Sequence, residues 1–162
     1  MGLWMIQQVR HETGDKYDFA TLASMAKENP VEDEISVNDQ RFLAPESMTE
    51  EIQKAVGRPL SLGEIAFVIF NSLAKSYRES LDDLERLTGE RYDTLNIIGG
   101  GSKNAFLNEL TKKFVQKRVI TGPSEGTALG NLLVQMVSAG DIPSIQEGRK
   151  MIKNSFDINE VK

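Results

Sequence analysis

"NIIGGGSKN", Asn96 to Asn104, is the stretch on which the reading of this chain turns. A short apolar run, Leu95 to Ile98, leads straight into Gly99, Gly100 and Gly101. Beyond them, Ala105 to Lys117 carries Phe106, Leu107, Leu110 and Phe114 at helical spacing. Lys112, Lys113 and Lys117 sit where the C-terminal end of that helix favours cations. Val119 to Thr121 reads as a second strand, broken by Gly122-Pro123. Ser124 is placed to cap a helix from Glu125 to Ala139, with Leu129, Leu132, Leu133, Met136 and Val137 inward and Gly140 closing it. Residues 95–139 therefore read βαβα. A unit of that length requires a parallel strand pair with a right-handed crossover. Two strands make no stable sheet alone, so the remaining strands lie either in a segment that reads otherwise or, as the uncapped start favours, outside this chain.

The glycine run has a chemical meaning at such a junction. Glycine allows positive φ and lets a ligand approach the backbone. The free N–H groups of the following helix then favour phosphate, and ligands of open parallel sheets bind at the carboxyl ends of strands. A tight turn that only lets the helix pack is the plainer alternative, but three glycines in a row favour binding. The spacing does not fix the ligand. A Walker loop requires G-x-x-x-x-G-K-[ST], whereas Lys103 lies too near the glycines and precedes asparagine. A dinucleotide turn requires G-x-G-x-x-G. Gly99 and Gly101 fit it, position 104 is asparagine, and Glu125 stands near the place of the ribose acid but past a Gly-Pro turn. Asn104 reads equally as a ligand amide or a helix cap. Gly126 and Gly130, four apart, suggest close packing of their helix.

Upstream, the chain reads as helical. "MGLWMIQQV" has the character of an element interior, with Leu3, Trp4, Ile6 and Val9 seeking burial and no cap before them. The chain is accordingly expected to be a piece of a longer protein. Gly14 ends this helix, and Asp18 caps a second one bearing Leu22, Met25 and Ala26, stopped by Asn29-Pro30. Residues 31–46 are irregular, with Phe42 and Leu43 expected to pin the loop to the core. Ser47-x-x-Glu50 and Ser61-x-x-Glu64 are capping boxes. The second opens a long amphipathic helix through Ile65, Ile69, Leu73, Tyr77, Leu81 and Leu84, closed by Gly89. The division expected is a mainly helical segment over 1–90, a βαβα segment over 91–140 and a tail over 141–162.

The chain has 162 residues, 40% hydrophobic and 27% charged, enough for a real core. A net charge of −5 argues against a nucleic-acid partner, which needs a basic face to displace counterions. With no cysteine there are no disulfides or thiolate metal sites. No signal peptide or bilayer-spanning stretch is visible, so no membrane partner and a cytoplasmic location are expected. His11, the only histidine, reads as a surface residue, and Glu32, Asp33 and Glu34 as a solvated loop. No catalytic triad, metal cluster or spaced carboxylate pair stands out.

"LNIIGGGSKNAFLNELTKKF" followed by "RVITGPSEGTALGNLLVQMVSAGDI" resembles the C-terminal part of the FGGY carbohydrate kinases. The spacing Gly122, Pro123, Glu125, Thr127, Gly130, Asn131 is similar to that of the rhamnulokinase branch, as are "MGLWMIQ", "NDQRFLAPESM" and "SLAKSYRESLDDLERLTG". The resemblance covers nearly the whole chain. It implies an α/β chain, part of an actin-like, ribonuclease-H-like ATPase domain with an incomplete sheet and packed helices. It further implies phosphorylation of L-rhamnulose at its 1-hydroxyl with ATP and Mg2+. By position it makes Gly100 the nucleotide-contacting glycine, flanked by Gly99 and Gly101. Gln7 becomes a second nucleotide contact, and Asn104 lies near the adenine. The catalytic aspartate, the phosphate-gripping turns and the N-terminal lobe of the kinase have no counterpart in this sequence. No catalytic residue is therefore assigned, and the chain alone is expected to be inactive. Xylulose, fuculose or glycerol as the sugar, a dinucleotide-binding module, and an interaction domain that keeps the scaffold without activity stand as alternatives.

Overall fold

The computed structural model describes residues 2–162. The chain forms an α/β structure of two compact units: residues up to Tyr92 with Asn104–Gln116, and Asp93–Lys103 with Lys117–Lys162.

The first unit is helical. It contains α1 (Trp4–Glu12), α2 (Phe19–Glu28), α3 (Met48–Val56), α4 (Leu62–Thr88) and α5 (Ala105–Val115). Helix α4 forms because its apolar residues recur at three and four, and both ends are signalled. At its start Ser61 accepts from the Glu64 N–H, and the Glu64 carboxylate accepts from the Ser61 N–H at 2.7 Å. At its end Gly89 takes φ +71°, the left-handed conformation that terminates helices. Ile65, Ala66, Ile69, Phe70, Leu73 and Ala74 are buried against Met5, Ile6 and Val9 of α1, Leu22 and Ala26 of α2, and Leu107 and Leu110 of α5. Phe106 of α5 sets its ring edge-on to Phe70, with centroids 6.1 Å apart. Gly63 lets α2 approach, since a Cβ there would lie 2.6 Å from the Asn29 amide nitrogen.

Three local expectations are corrected. Met5, not Trp4, fills the core from α1, and Trp4 remains 42% exposed. Phe42 is buried, but Leu43 points outward and is 64% exposed. Ser47 caps α3 by accepting from the Glu50 N–H, but a different acid completes the cap. The Glu12 carboxylate accepts from the N–H groups of Met48 and Thr49 and from the Ser47 hydroxyl. That carboxylate ties the end of α1 to the start of α3.

The second unit is a small sheet with two helices. Strands β1 (Thr94–Ile97) and β2 (Arg118–Thr121) pair in parallel, Asn96 opposite Ile120. The third strand, β3 (Asn159–Glu160), pairs antiparallel with β2 and gives the order β1-β2-β3. It comes from the last residues of the chain, so one further strand lies in the segment read as a tail rather than outside the chain. Helix α6 (Gly126–Ala139) packs against α7 (Ile145–Ser155). Gly148 makes that approach close, since a Cβ there would sit 1.7 Å from Leu133 Cδ1. Leu133 is the buried apolar residue of α6, whereas Leu132 and Val134 are more than half exposed. Of the expected five-residue core face, Leu133 is buried, Leu129, Met136 and Val137 are half-buried, and Leu132 faces outward. Strand β1 is only partly covered, and Ile98 beyond it is 58% exposed.

Candidate functional site

Both parallel strands end in a glycine turn, and the two turns are stitched together. After β1, Gly99 adopts φ +75°. Its N–H donates to the Pro123 carbonyl at 3.1 Å, and its own carbonyl accepts from the Ser102 N–H at 3.1 Å and the Ser102 hydroxyl at 2.7 Å. After β2, Gly122 adopts φ +95°, and its N–H donates to the Ile97 carbonyl at 2.9 Å. Parallel pairing brings the carboxyl ends of β1 and β2 side by side. The two crossing hydrogen bonds then fix the turns to one another.

Gly100 to Lys103 form a single 3-10 turn before α5. Among the described residues, the N–H groups of Gly100 and Gly101 make no hydrogen bond in the turn. A Cβ on Gly100 would meet nothing within 4 Å, so the space over that residue is open. The turn thus presents two amides without a hydrogen bond among the described residues, one of them, Gly100, beside open space, which is what an anionic or polar ligand requires of a backbone.

A cleft of about 300 Å3 lies beside these turns in the second unit. Ser102 and Lys103 line it from the first turn, Gly122, Pro123 and Ser124 from the second. Thr121 at the end of β2, and Phe156, Asp157 and Asn159 from the last stretch of chain, complete it. That stretch is held by three contacts. The Thr121 hydroxyl donates to the Asn159 carbonyl at 3.3 Å, the Arg118 guanidinium pairs with Glu160 at 2.8 Å, and the Val161 N–H donates to the Val119 carbonyl at 2.9 Å. Gly122 is required for this approach, because a Cβ on it would lie 2.3 Å from the Asp157 carbonyl oxygen.

Asn104 caps α5, its Oδ1 accepting from the Leu107 N–H at 3.0 Å. Gln7 belongs to the first unit, exposed on α1 between the buried Ile6 and Val9. Ser124 is not a cap: Glu125 takes the N-cap position of α6, without a side-chain hydrogen bond. Gly126 packs closely, a Cβ there meeting the Ile98 side chain at 3.3 Å, but nothing lies within 4 Å of Gly130. His11 is exposed and contacts Asp15 at 3.1 Å. The wall formed by Phe156, Asp157 and Asn159 went unread in the sequence. Ser144-x-x-Glu147 does announce α7, the Ser144 hydroxyl accepting from the Glu147 N–H. Nothing in the pattern says that the chain then returns to β2.

Among the described residues no group of three His, Asp or Glu side chains could hold a metal ion, and no helix is long and apolar enough to cross a membrane.

Comparison with known proteins places these features in a lineage. Residues 1–139 match the profile of the FGGY family of carbohydrate kinases, C-terminal domain. A rhamnulokinase of Ligilactobacillus salivarius is 47% identical over 164 residues, covering 98% of this chain and 34% of the relative. Rhamnulokinases of Lactiplantibacillus plantarum and Bacillus subtilis are 42% and 41% identical, with the same coverage of 98% and 34%. The chain spans about a third of the length of the curated relatives it matches.

Proposed function

This chain belongs to the FGGY family of carbohydrate kinases, and from that premise we propose that it is the C-terminal part of the nucleotide-binding lobe of a sugar kinase with an actin-like, ribonuclease-H-like fold. The whole enzyme transfers the γ-phosphoryl group of ATP to the 1-hydroxyl of L-rhamnulose in the cytoplasm. The observation that carries the nucleotide role is the pair of latched glycine turns at the carboxyl ends of β1 and β2, with open space over Gly100. The choice of sugar rests on the naming of the relatives as rhamnulokinases.

In this reading Gly99 to Gly101 form one wall of the ATP site. Gly99 supplies the positive φ that turns the chain, and Gly100 and Gly101 offer backbone donors. Gln7 and Asn104 contribute polar groups to the nucleotide; for Gln7 the support is its position directly after "GLWMI". The Asn104 oxygen is engaged in its cap, which leaves the amide nitrogen to donate. Magnesium bound with the phosphates of the nucleotide would supply neutralisation of their charge, and no residue of this chain is assigned to hold it. An aspartate outside this chain takes the proton of the sugar hydroxyl. Catalysis is then mainly positioning and electrostatics, with lobe closure excluding water. The chain by itself holds the nucleotide without transferring phosphate.

A dinucleotide-binding module is the second reading, favoured by Gly99 and Gly101 and opposed by asparagine at position 104. Thermal shift with MgATP, MgADP and NAD separates the two. Stabilisation by the adenine nucleotides but not by NAD is expected, and stabilisation by NAD alone overturns the proposal.

A further inference from the structure

The last stretch of chain runs the whole length of β2, beyond residue 139 where the family match ends. Val161 is bonded to Val119 near the start of that strand, and Asp157 stands over Gly122 just past its end. Two paired residues, Asn159 and Glu160, hold little by themselves. Side chains add the rest: Arg118 Nε donates to the Glu160 carboxylate at 2.8 Å, and the Thr121 hydroxyl donates to the Asn159 carbonyl. A strand that only closed the edge of the sheet would not need a glycine under its incoming backbone. Here it does, because the Asp157 carbonyl oxygen occupies the space that a Cβ on Gly122 would take. The strap and the second turn therefore fix one another. The next links are the two crossing hydrogen bonds, Gly122 N–H to the Ile97 carbonyl and Gly99 N–H to the Pro123 carbonyl.

We infer that residues 157–161 form a strap that sets the shape of the Gly99–Gly101 turn from the far side of β2, with Arg118 and Glu160 as its positioning residues. None of them touches the turn's ligand side. They act through Gly122 and Pro123, which carry the position of the strap into the first turn. A backbone donor serves a ligand only when it is held within about 0.5 Å of its place. Gly100 has open space above it, so nothing on that side holds the turn. The hold comes from beneath, through Gly99, and so from the strap. Its clasp is adjustable, because the Arg118 and Glu160 side chains are both about half exposed and such pairs are weak and screened by salt. This positioning role rests on the nucleotide role proposed above.

Amide hydrogen exchange and two-dimensional NMR of the 162-residue chain, with MgADP as the probe, test it. Val161→Pro removes the N–H that donates to Val119, and Val161→Ala keeps it. Val161→Pro is expected to speed exchange at the Gly99 and Gly122 amides about tenfold and to weaken ADP binding about tenfold. Val161→Ala is expected to do neither. Arg118→Glu and Glu160→Arg are each expected to give the same changes at about threefold, and the double variant to restore both readouts. Ser144→Ala removes the cap of α7 without touching the strap, and is expected to leave both readouts unchanged. The dispersed spectrum of each variant reports that it is folded. Unchanged exchange at Gly99 in Val161→Pro overturns the hold of the strap on the turn. Faster exchange with ADP affinity unchanged overturns the positioning role and leaves the nucleotide role standing. Equal changes in Ser144→Ala reduce the strap to general stability and also overturn it. No shifts with MgADP in the unaltered chain overturn the nucleotide role and the positioning role with it, whatever the exchange shows.

Discussion

The backbone N–H of Gly99 donates to the carbonyl of Pro123 at 3.1 Å, joining the turn after β1 to the turn after β2. With Gly122 donating back to Ile97 at 2.9 Å, neither turn is set by its own sequence alone. The shape of the glycine run at 99–101 depends on a second glycine more than twenty residues away.

Gly122→Ala should therefore damage the site from a distance. The φ of +95° is strained for alanine, and its Cβ would lie 2.3 Å from the Asp157 carbonyl oxygen. A loss of about 1–3 kcal/mol is expected in the second unit. Urea denaturation measures it, and hydrogen exchange should show lost protection at the Gly99 and Val161 amides. Unchanged protection at both would contradict the latch.

Gly100 and Gly99 should respond differently to the same substitution. Gly100 has open space above it and no positive φ, so Gly100→Val should fold normally. Gly99 sits at φ +75°, so Gly99→Val should cost about 1–3 kcal/mol. In an enzyme that carries this chain as its C-terminal third, Gly100→Val should weaken ATP binding tenfold or more, about 1.4 kcal/mol. Sugar affinity should stay the same. Calorimetric titration of each ligand checks this, and unchanged ATP affinity would refute the role of Gly100.

Glu12 should give the first unit an acid-sensitive joint. Partial burial raises its pKa, but hydrogen bonds from Thr49, Met48 and Ser47 outweigh that effect and hold the carboxyl below its ordinary value. A depressed carboxylate stabilises the fold above its unfolded pKa, about 4.3, and that stability is lost as pH falls through the folded value. Below about pH 4.3 the chain should become progressively less stable. Glu12→Gln should be less stable at neutral pH and flatter in acid. Thermal melts from pH 3 to 7 test the slope.

Two serines that look alike in sequence should differ in stability. Ser61 caps α4 through a complete capping box, and Ser61→Ala should cost about 1 kcal/mol. Ser124 makes no cap, and Ser124→Ala should change stability by less than about 0.5 kcal/mol. Paired denaturation curves decide it.

These contrasts show where the sequence is informative. Helix α4 was legible because period, capping box and terminal glycine agree over one long segment. The glycine run was legible as a strand-to-helix turn because glycine at φ +75° marks a place where other residues are strained. Burial was read less well. Trp4 and Met5 are equally apolar neighbours, and only packing decides that Met5 turns inward. Helix α6 has a polar stripe at Thr127, Asn131, Gln135 and Ser138, but periodicity could not tell that Leu133 alone among its apolar residues would be fully covered. The return of the last residues to β2 is a long-range pairing of two residues, too short to leave an alternating pattern.

Grafting decides whether this chain is the nucleotide-lobe part of a rhamnulose kinase. Residues 1–162 would replace the matching C-terminal third of the Bacillus subtilis rhamnulokinase, and ADP formation would be followed with L-rhamnulose, xylulose, fuculose and glycerol. ADP production that depends on rhamnulose is expected in the graft, and none from the 162-residue chain alone. A folded graft without rhamnulose-dependent turnover, or sugar-dependent turnover by the isolated chain, would contradict it.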